Sequence, residues 1–192
     1  MYSVATKIIT LYSDHWIELP PFWTRNCTYR TYYDLYNIKA ITKVTCHLVI
    51  KKWYNVGDQS AFSYILGVND KEIVIADYPQ TTVIDKDITT WFTSVVLEGT
   101  NEFHFCITHA YAMPYYRGAQ VEVQLIIEYD EAKGELYVSE SPVNQTNRQL
   151  SNIANVLWSF FYNFVIPLLP MIIPLIILLV LLHPIIFRIF KY

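Results

Sequence analysis

Apolar and polar residues alternate along much of the first 139 residues, as they do in β-strands with one buried face. The clearest run covers residues 120–130, where apolar side chains fall at every second position and only Ile126 breaks the rule. Asn69-Asp70 has the composition of a two-residue hairpin turn. Together with this run, we predict strands at residues 3–12, 43–52, 61–68, 72–77, 89–97, 103–111 and 135–138.

The number and spacing of these runs predict an all-β domain at residues 1–139. Short antiparallel strands at such intervals are typical of a two-sheet sandwich of jelly-roll or immunoglobulin-like topology, and the sequence leaves both open. No long helical pattern interrupts the runs, which disfavours an α/β enzyme fold. The polar residues 140–149 are predicted to be a linker.

The period changes to that of a helix at residues 150–166, which we predict to form an amphipathic helix at a membrane interface. Trp158 and Tyr162 suit the boundary between lipid and water. One face carries Ile153, Val156, Leu157, Phe160, Phe161 and Phe164, and the opposite face carries Asn152, Asn155, Ser159 and Asn163.

Residues 156–187 contain no Lys, Arg, Asp or Glu. Because a helix of roughly 20 apolar residues crosses a bilayer core about 30 Å thick, we predict one transmembrane helix at residues 167–190, anchoring the chain by its C-terminus. One long, tilted and bent helix is the alternative, and it keeps the anchor. The predicted membrane contacts are Trp158, Phe160, Phe161, Phe164, the helix-kinking Pro167, Pro170 and Pro174, and the flanking Arg188 and Lys191.

The side of the membrane on which the domain lies stays open. Arg188 and Lys191 favour a cytoplasmic C-terminus, which would put the domain outside. The N-terminal residues lack the pattern of a secretory signal, which favours a cytoplasmic domain inserted by its tail.

Composition and motifs point away from catalysis and from nucleic acid. The net charge is −3 and the basic residues are dispersed, so the sequence lacks the cluster of Lys and Arg that is typical of nucleic-acid-binding proteins. The sequence contains no GxSxG, P-loop or GxGxxG pattern. We therefore expect no enzymatic activity, no catalytic residue and no cofactor.

The three cysteines, Cys27, Cys46 and Cys106, leave the disulfide state open, since Cys27 can pair with either of the others. The segment FHFCITH, residues 103–109, places histidines near Cys106. No paired short spacing of ligands accompanies it, so we expect a packed strand rather than a metal site.

Two aromatic segments, residues 16–36 and 111–117, contain proline and are predicted to display rings in loops or at sheet edges. Tyr, Trp and Arg anchor many protein contacts, which favours a protein–protein interface. Stacking on sugars and filling of the core are the alternatives. The interface candidates are Trp16, Phe22, Trp23, Tyr29, Tyr32, Tyr33, Tyr36, Tyr111, Tyr115, Tyr116 and Arg117.

Asn26 and Asn144 each begin an Asn-x-Thr pattern for N-glycosylation, which requires an exposed extracytoplasmic site. N-glycans at these two residues are therefore a prediction, and Asn144 falls in the predicted linker.

The Tyr- and Ile-rich sandwich pattern, the two glycosylation patterns and the tail PLLPMIIPLIILLVLLHP resemble membrane-associated virion proteins of archaeal viruses from hot acidic habitats. The strand runs KVTCHLVIKKW and VEVQLIIEYD carry the same likeness. The resemblance implies a jelly-roll-type structural subunit that links a virion membrane to a capsid, tail or spike.

We therefore expect a non-enzymatic, single-pass membrane protein that joins lipid to a protein assembly, with copies of itself or other structural proteins as partners. One alternative is a cell-surface protein that binds glycans or another partner. The other is an accessory subunit of a membrane enzyme complex.

Overall fold

The computed structural model describes residues 3–54, 62–167 and Pro174. The chain divides into two compact units, Met1–Asn144 and Gln145–Tyr192. The first unit is mostly β and contains two antiparallel sheets, which confirms the all-β prediction. Its strands are β1 (Val4–Leu19), β2 (Arg25–Cys27), β3 (Thr31–Tyr36), β4 (Ile41–Tyr54), β5 (Phe62–Val68), β6 (Lys71–Asp77), β7 (Val83–Asp87), β8 (Gly99–His109), β9 (Arg117–Asp130) and β10 (Tyr137–Glu140).

The two sheets are built almost entirely from strands that are not neighbours in the chain. The four-stranded sheet has the order β1-β9-β4-β7, and the six-stranded sheet has the order β10-β3-β8-β5-β6, with β2 also pairing with β8. The Asn69-Asp70 hairpin between β5 and β6 forms as predicted, with positive φ angles of 49° and 62°. Positive φ at both central residues is the geometry of a tight hairpin turn.

Inward-facing side chains from both sheets form one hydrophobic cluster. On β9 the alternate residues predicted from the sequence are buried, and on β4 Cys46 is buried together with its apolar neighbours. Burial raises the pKa of the Cys46 thiol to about 12, so Cys46 is an inert part of the core. The largest fully buried apolar side chains include Tyr12, Tyr64, Phe62, Phe92, Phe103 and Phe105.

The strand predicted at residues 89–97 is wrong, because Thr89–Val95 is a helix, α1. The Asp87 carboxylate accepts hydrogen bonds from the Thr89 backbone N–H at 2.9 Å and from its hydroxyl at 2.6 Å, which satisfies one of the free donors of the first turn. Phe92 is buried in the core, with Trp91 and Val95 packed against the same cluster. These apolar residues also fit helical spacing, but the helix is too short to reveal its period.

Helix α2 begins at Pro142 and ends at Phe160, so the structure places helix where the sequence predicts a linker at residues 140–149. Pro142 suits the first turn, where a helix needs no backbone donor. A π-helical turn, Phe161–Val165, follows. The large apolar side chains exposed between Pro142 and Ile166 are Val143, Leu150, Ile153, Val156, Leu157, Trp158, Phe160, Phe161, Tyr162 and Ile166.

Within the described residues, no helix is both long enough and apolar enough to cross a bilayer. The predicted transmembrane segment 167–190 lies outside the described residues except for Pro167 and Pro174. Pro170, Arg188 and Lys191 also lie outside them.

Candidate functional site

The two aromatic segments meet at one end of the β domain. The loop after β1 and the loop after β8 are joined by a hydrogen bond from the Phe22 N–H to the Met113 carbonyl, at 2.7 Å. A second bond runs from the His109 N–H to the Thr24 carbonyl, at 2.8 Å. Residues that lie about 90 positions apart in the sequence therefore share one surface.

Arg117 holds this pair of loops together from inside the domain. Its side chain is 0% exposed, its Nη1 donates to the Tyr111 carbonyl at 3.1 Å, and its Nη2 donates to the Trp23 carbonyl at 2.9 Å. Burial lowers the pKa of this guanidinium. The sequence predicts Arg117 as an interface residue, whereas the structure places it beneath the surface as the support of both loops.

Six large aromatic side chains are exposed at this end, which we call the aromatic end. Trp16 comes from β1 and Trp53 from β4, next to the start of β9. Trp53 is not among the interface residues predicted from the sequence. The presence of a tryptophan near the end of a strand could have suggested that it belongs to this surface. The members of the aromatic end are Trp16, Phe22, Trp23, Trp53, Tyr111 and Tyr116.

A glycine lets Trp16 approach the strand beneath it. A Cβ atom on Gly118 would lie 3.1 Å from the Trp16 ring and 2.5 Å from the Ile17 carbonyl oxygen. Distances this short exclude a larger residue unless the strands move apart. Gly118 directly follows Arg117, so both residues at the start of β9 serve the aromatic end.

Phe22 has a backbone conformation that bulky residues rarely adopt. Its φ angle is +67° and its side chain is 70% exposed. The left-handed region costs a non-glycine residue roughly 1–2 kcal/mol and usually contains Gly or Asn. The chain therefore keeps an exposed ring at a position where the backbone favours Gly or Asn. Strained residues of this kind are common at functional sites.

The other interface candidates lie elsewhere or are covered. Tyr29 packs against Tyr12 and His15, with ring centroids 5.5 and 5.1 Å away. Tyr36 contacts Tyr137 at the far end of the six-stranded sheet, with a centroid distance of 5.9 Å. Half-buried in the fold are Tyr32, Tyr33 and Tyr115.

Several polar groups beside the exposed rings form hydrogen bonds within the fold, whereas Arg117 Nε is buried without a partner among the described residues. Both Arg117 Nη atoms bond to loop carbonyls, and the Asn26 amide donates to the Glu18 carbonyl at 2.6 Å. His109 Nδ1 contacts the Tyr111 backbone oxygen at 2.8 Å and the Tyr111 N–H at 3.0 Å.

The two predicted glycosylation residues have different surroundings. Asn26 is half-buried on β2. Asn144 is 5% exposed in the first turn of α2, and its Nδ2 donates to the Tyr32 carbonyl at 2.8 Å and to Glu140 at 3.0 Å. A glycan on Asn144 Nδ2 would have to replace these contacts, so its surroundings differ from the exposed linker that the sequence predicts.

A polar cluster lies away from the aromatic end, on the outer face of the six-stranded sheet. His104 on β8 approaches Glu72 on β6, with 3.1 Å between Nε2 and Oε1. Arg25 donates to the same Glu72 oxygen, and its Nη2 also lies 3.3 Å from Cys106 Sγ. The pKa of Glu72 is lowered, first of all by the hydrogen bond from Arg25.

Cys106 is joined to Cys27 by a disulfide, across the register pair that links β2 to β8. The structure therefore pairs Cys27 with Cys106 and leaves Cys46 free, whereas the sequence leaves both pairings of Cys27 open. Glu72, His104 and Cys106 are the one group of three potential metal ligands found among the described residues.

Comparison of the chain with models of known protein families, with curated proteins and with solved structures finds no match.

Proposed function

We propose that this protein is a non-enzymatic, membrane-anchored structural protein whose β domain docks onto neighbouring protein subunits through the aromatic end. The observation that carries the proposal is the support of two separate loops by the buried Arg117. A buried guanidinium is costly unless its donors are satisfied, and here its two Nη donors fix the loops that display Phe22, Trp23 and Tyr111. Such preorganised aromatic surfaces bind with little further loss of entropy.

The strand order supports the jelly-roll alternative for the sandwich. Without the short β2 and the late β10, the eight remaining strands pair in the order first-eighth-third-sixth and second-seventh-fourth-fifth. This interleaving of early and late strands is that of a jelly roll, whereas an immunoglobulin sheet keeps sequential hairpin strands side by side. Capsid proteins are among the proteins built on jelly rolls, although a fold alone does not define a function.

The chain after the β domain supports attachment to lipid. Apolar side chains of α2 and the π-helical turn, among them Ile153, Leu157 and Phe160, are exposed to solvent. An uncharged apolar stretch that continues to residue 187 follows them in the sequence. We propose that α2 lies at a membrane interface and that residues 167–190 cross the bilayer.

The setting that the sequence resemblance implies is an archaeal virus. A membrane-anchored jelly roll would there link the virion membrane to a protein shell, tail or spike. Neighbouring subunits on one membrane bring many weak contacts together, so each aromatic end needs only modest affinity. We expect second copies of this chain to be the first partners, with other structural proteins of the assembly beside them.

The test is gentle extraction of the full-length protein from its native membrane, followed by size determination and mass spectrometry of the proteins and glycans that accompany it. We expect a high-mass assembly. The double variant Phe22→Ser/Trp23→Ser should yield smaller species, while the control Tyr36→Ser/Tyr137→Ser, which removes exposed rings at the other end, should keep the assembly.

A lone monomer of the unmodified protein would overturn the proposal. A complex with catalytic membrane subunits would favour the accessory-subunit alternative. Specific retention on immobilised glycans, lost in the Phe22/Trp23 variant, would favour the glycan alternative.

A further inference from the structure

We propose that reduction of the Cys27–Cys106 disulfide turns the outer polar cluster into a zinc site, with Cys106, His104 and Glu72 as the protein ligands. The ligand atoms of Glu72, His104 and Cys106 already lie within 4.8 Å of one another. Ligands of a tetrahedral Zn²⁺ at about 2.0–2.3 Å from the ion are roughly 3.3–3.8 Å apart, so side-chain movements of about 1 Å would close the site. Cys27 lies directly opposite Cys106, but its sulfur is not among these three ligand atoms, so a water molecule would take the fourth position.

His104 is held for this role by the strand beside it. Its side chain is only 7% exposed and lies over Gly67, the residue opposite it on β5. A Cβ on Gly67 would lie 2.2 Å from both Cε1 and Nε2 of the imidazole ring. The missing side chain at Gly67 therefore leaves the space that the ring occupies, and Nε2 is directed toward Glu72.

Glu102 faces the second nitrogen of the His104 ring, the position at which zinc-bound histidines usually have a carboxylate. Its Nδ1 lies 3.9 Å from Glu102 Oε1, and both atoms are buried without a hydrogen-bond partner. Two unpaired buried polar atoms facing each other are unfavourable unless they come together. A histidine bound to metal through one nitrogen typically donates the other N–H to a carboxylate, and Glu102 is placed to accept it.

A cation already occupies the position between the ligands in the disulfide form. The Arg25 guanidinium bonds to Glu72 and contacts Cys106 Sγ at 3.3 Å, and its side chain is partly exposed. Arg25 is therefore free to swing into solvent when an ion with a stronger attraction for thiolate arrives. We therefore expect Zn²⁺ to displace the Arg25 guanidinium from this position.

The chemical step balances with a thiol reductant. Two thiols give two electrons and two protons to the Cys27–Cys106 bond, form their own disulfide and leave two cysteine thiols on the protein. Zn²⁺ then replaces the proton of the Cys106 thiol, which passes to solvent, because thiolate is the form that binds metal.

The experiment uses the full chain in detergent and Co²⁺ as the spectroscopic probe for zinc. Oxidised protein and protein reduced with a phosphine, then freed of it without air, are each titrated with Co²⁺. We expect one equivalent of tetrahedral, thiolate-bound cobalt in the reduced protein, displaced by Zn²⁺, and none in the oxidised protein.

Matched variants separate this site from adventitious binding. His104→Ala should abolish the thiolate-to-cobalt absorption, and Glu102→Gln should weaken binding roughly 10-fold or more. Arg25→Gln should tighten binding, since the competing cation is gone. His47→Ala, on an exposed pair with Asp85 in the other sheet, should change nothing.

Cys27→Ser leaves the Cys106 thiol free without any reductant, so this variant should bind Co²⁺ directly. It serves as a control for the possibility that chemical reduction unfolds the protein. Equal binding by oxidised and reduced protein would overturn the proposal. So would a reduced protein that gives no thiolate absorption, or one whose affinity is unaffected by His104→Ala.

Discussion

At the scale of single residues, a substitution of Phe22 should have opposite effects on the stability of the fold and on binding to a partner. Its positive φ of 67° favours Asn, and its exposed ring adds little to the core. Phe22→Asn should therefore raise the free energy of unfolding by about 1 kcal/mol and weaken assembly. Thermal unfolding and the size of the extracted complex measure the two effects.

Trp23→Asn is the matched control for this prediction. Its backbone is not in the left-handed region, so we expect weaker assembly with no gain in stability. A Phe22→Asn variant that unfolds more easily than the unmodified protein would show that the ring is needed for the fold, not for a partner.

His109 gives the aromatic end a predictable response to pH. Burial and the nearby Arg117 charge lower its pKa from 6.5, and burial also lowers the pKa of His15. The unfolded chain then takes up protons at a higher pH than the folded one, so stability should fall as the pH drops below about 6.5 toward the folded pKa values.

The measurement is the melting temperature between pH 7.5 and 5, above the range where the carboxylates with lowered pKa, Glu72 and Asp87, become protonated. His109→Gln should reduce the slope, because the variant no longer titrates there. An unchanged slope in this variant would exclude His109 as a source of the pH response.

At the scale of elements, Asn144 ties the start of α2 to β3. Its Oδ1 accepts the Tyr32 N–H at 2.9 Å, and its Nδ2 bonds to the Tyr32 carbonyl at 2.8 Å and Thr31 Oγ1 at 3.2 Å. Asn144→Ala would leave the part-buried Tyr32 N–H unpaired, while the Tyr32 carbonyl keeps the Ser141 N–H at 3.0 Å, and should lower the free energy of unfolding by about 1–2 kcal/mol.

Denaturant unfolding of the full chain tests this, with Asn152→Ala as the control on the exposed part of α2. The control should be neutral or slightly stabilising, since alanine favours helix. Equal stability of the two variants would contradict a linking role for Asn144. Mass analysis of the same samples shows whether a glycan is attached to either Asn26 or Asn144.

The elements that follow one local pattern were predictable, and those that depend on distant partners were not. Alternation reveals β9 because each residue from Val121 to Tyr129 is read against its immediate neighbours. The seven-residue helix α1 is too short to show a period, and Asn144 reads as a linker residue until β3 lies beside it. The aromatic end needed the same long-range information, because nothing local distinguishes the buried Arg117 from an exposed arginine.

At the scale of the whole molecule, the disulfide closes a long stretch of chain. Cys27 and Cys106 are 79 residues apart, so the loop-entropy relation gives a contribution of about 4.5 kcal/mol to stability. Reduction in the presence of a metal chelator should lower the denaturant midpoint of the β domain accordingly. An unchanged midpoint would mean that the sheets hold this pairing without the covalent link.

Photo-crosslinking can show whether the aromatic end contacts neighbouring protein subunits on the membrane, as we propose. A benzophenone amino acid at position 22 is compared with the same group at position 137, an exposed tyrosine at the other end of the domain. The full-length protein is irradiated in its native membrane, and the products are identified by mass spectrometry. We predict crosslinks to protein from position 22, first of all to a second copy of this chain, and few from position 137. Absence of protein crosslinks from position 22, or equal yields from the two positions, would show that the aromatic end is not the surface that contacts other subunits.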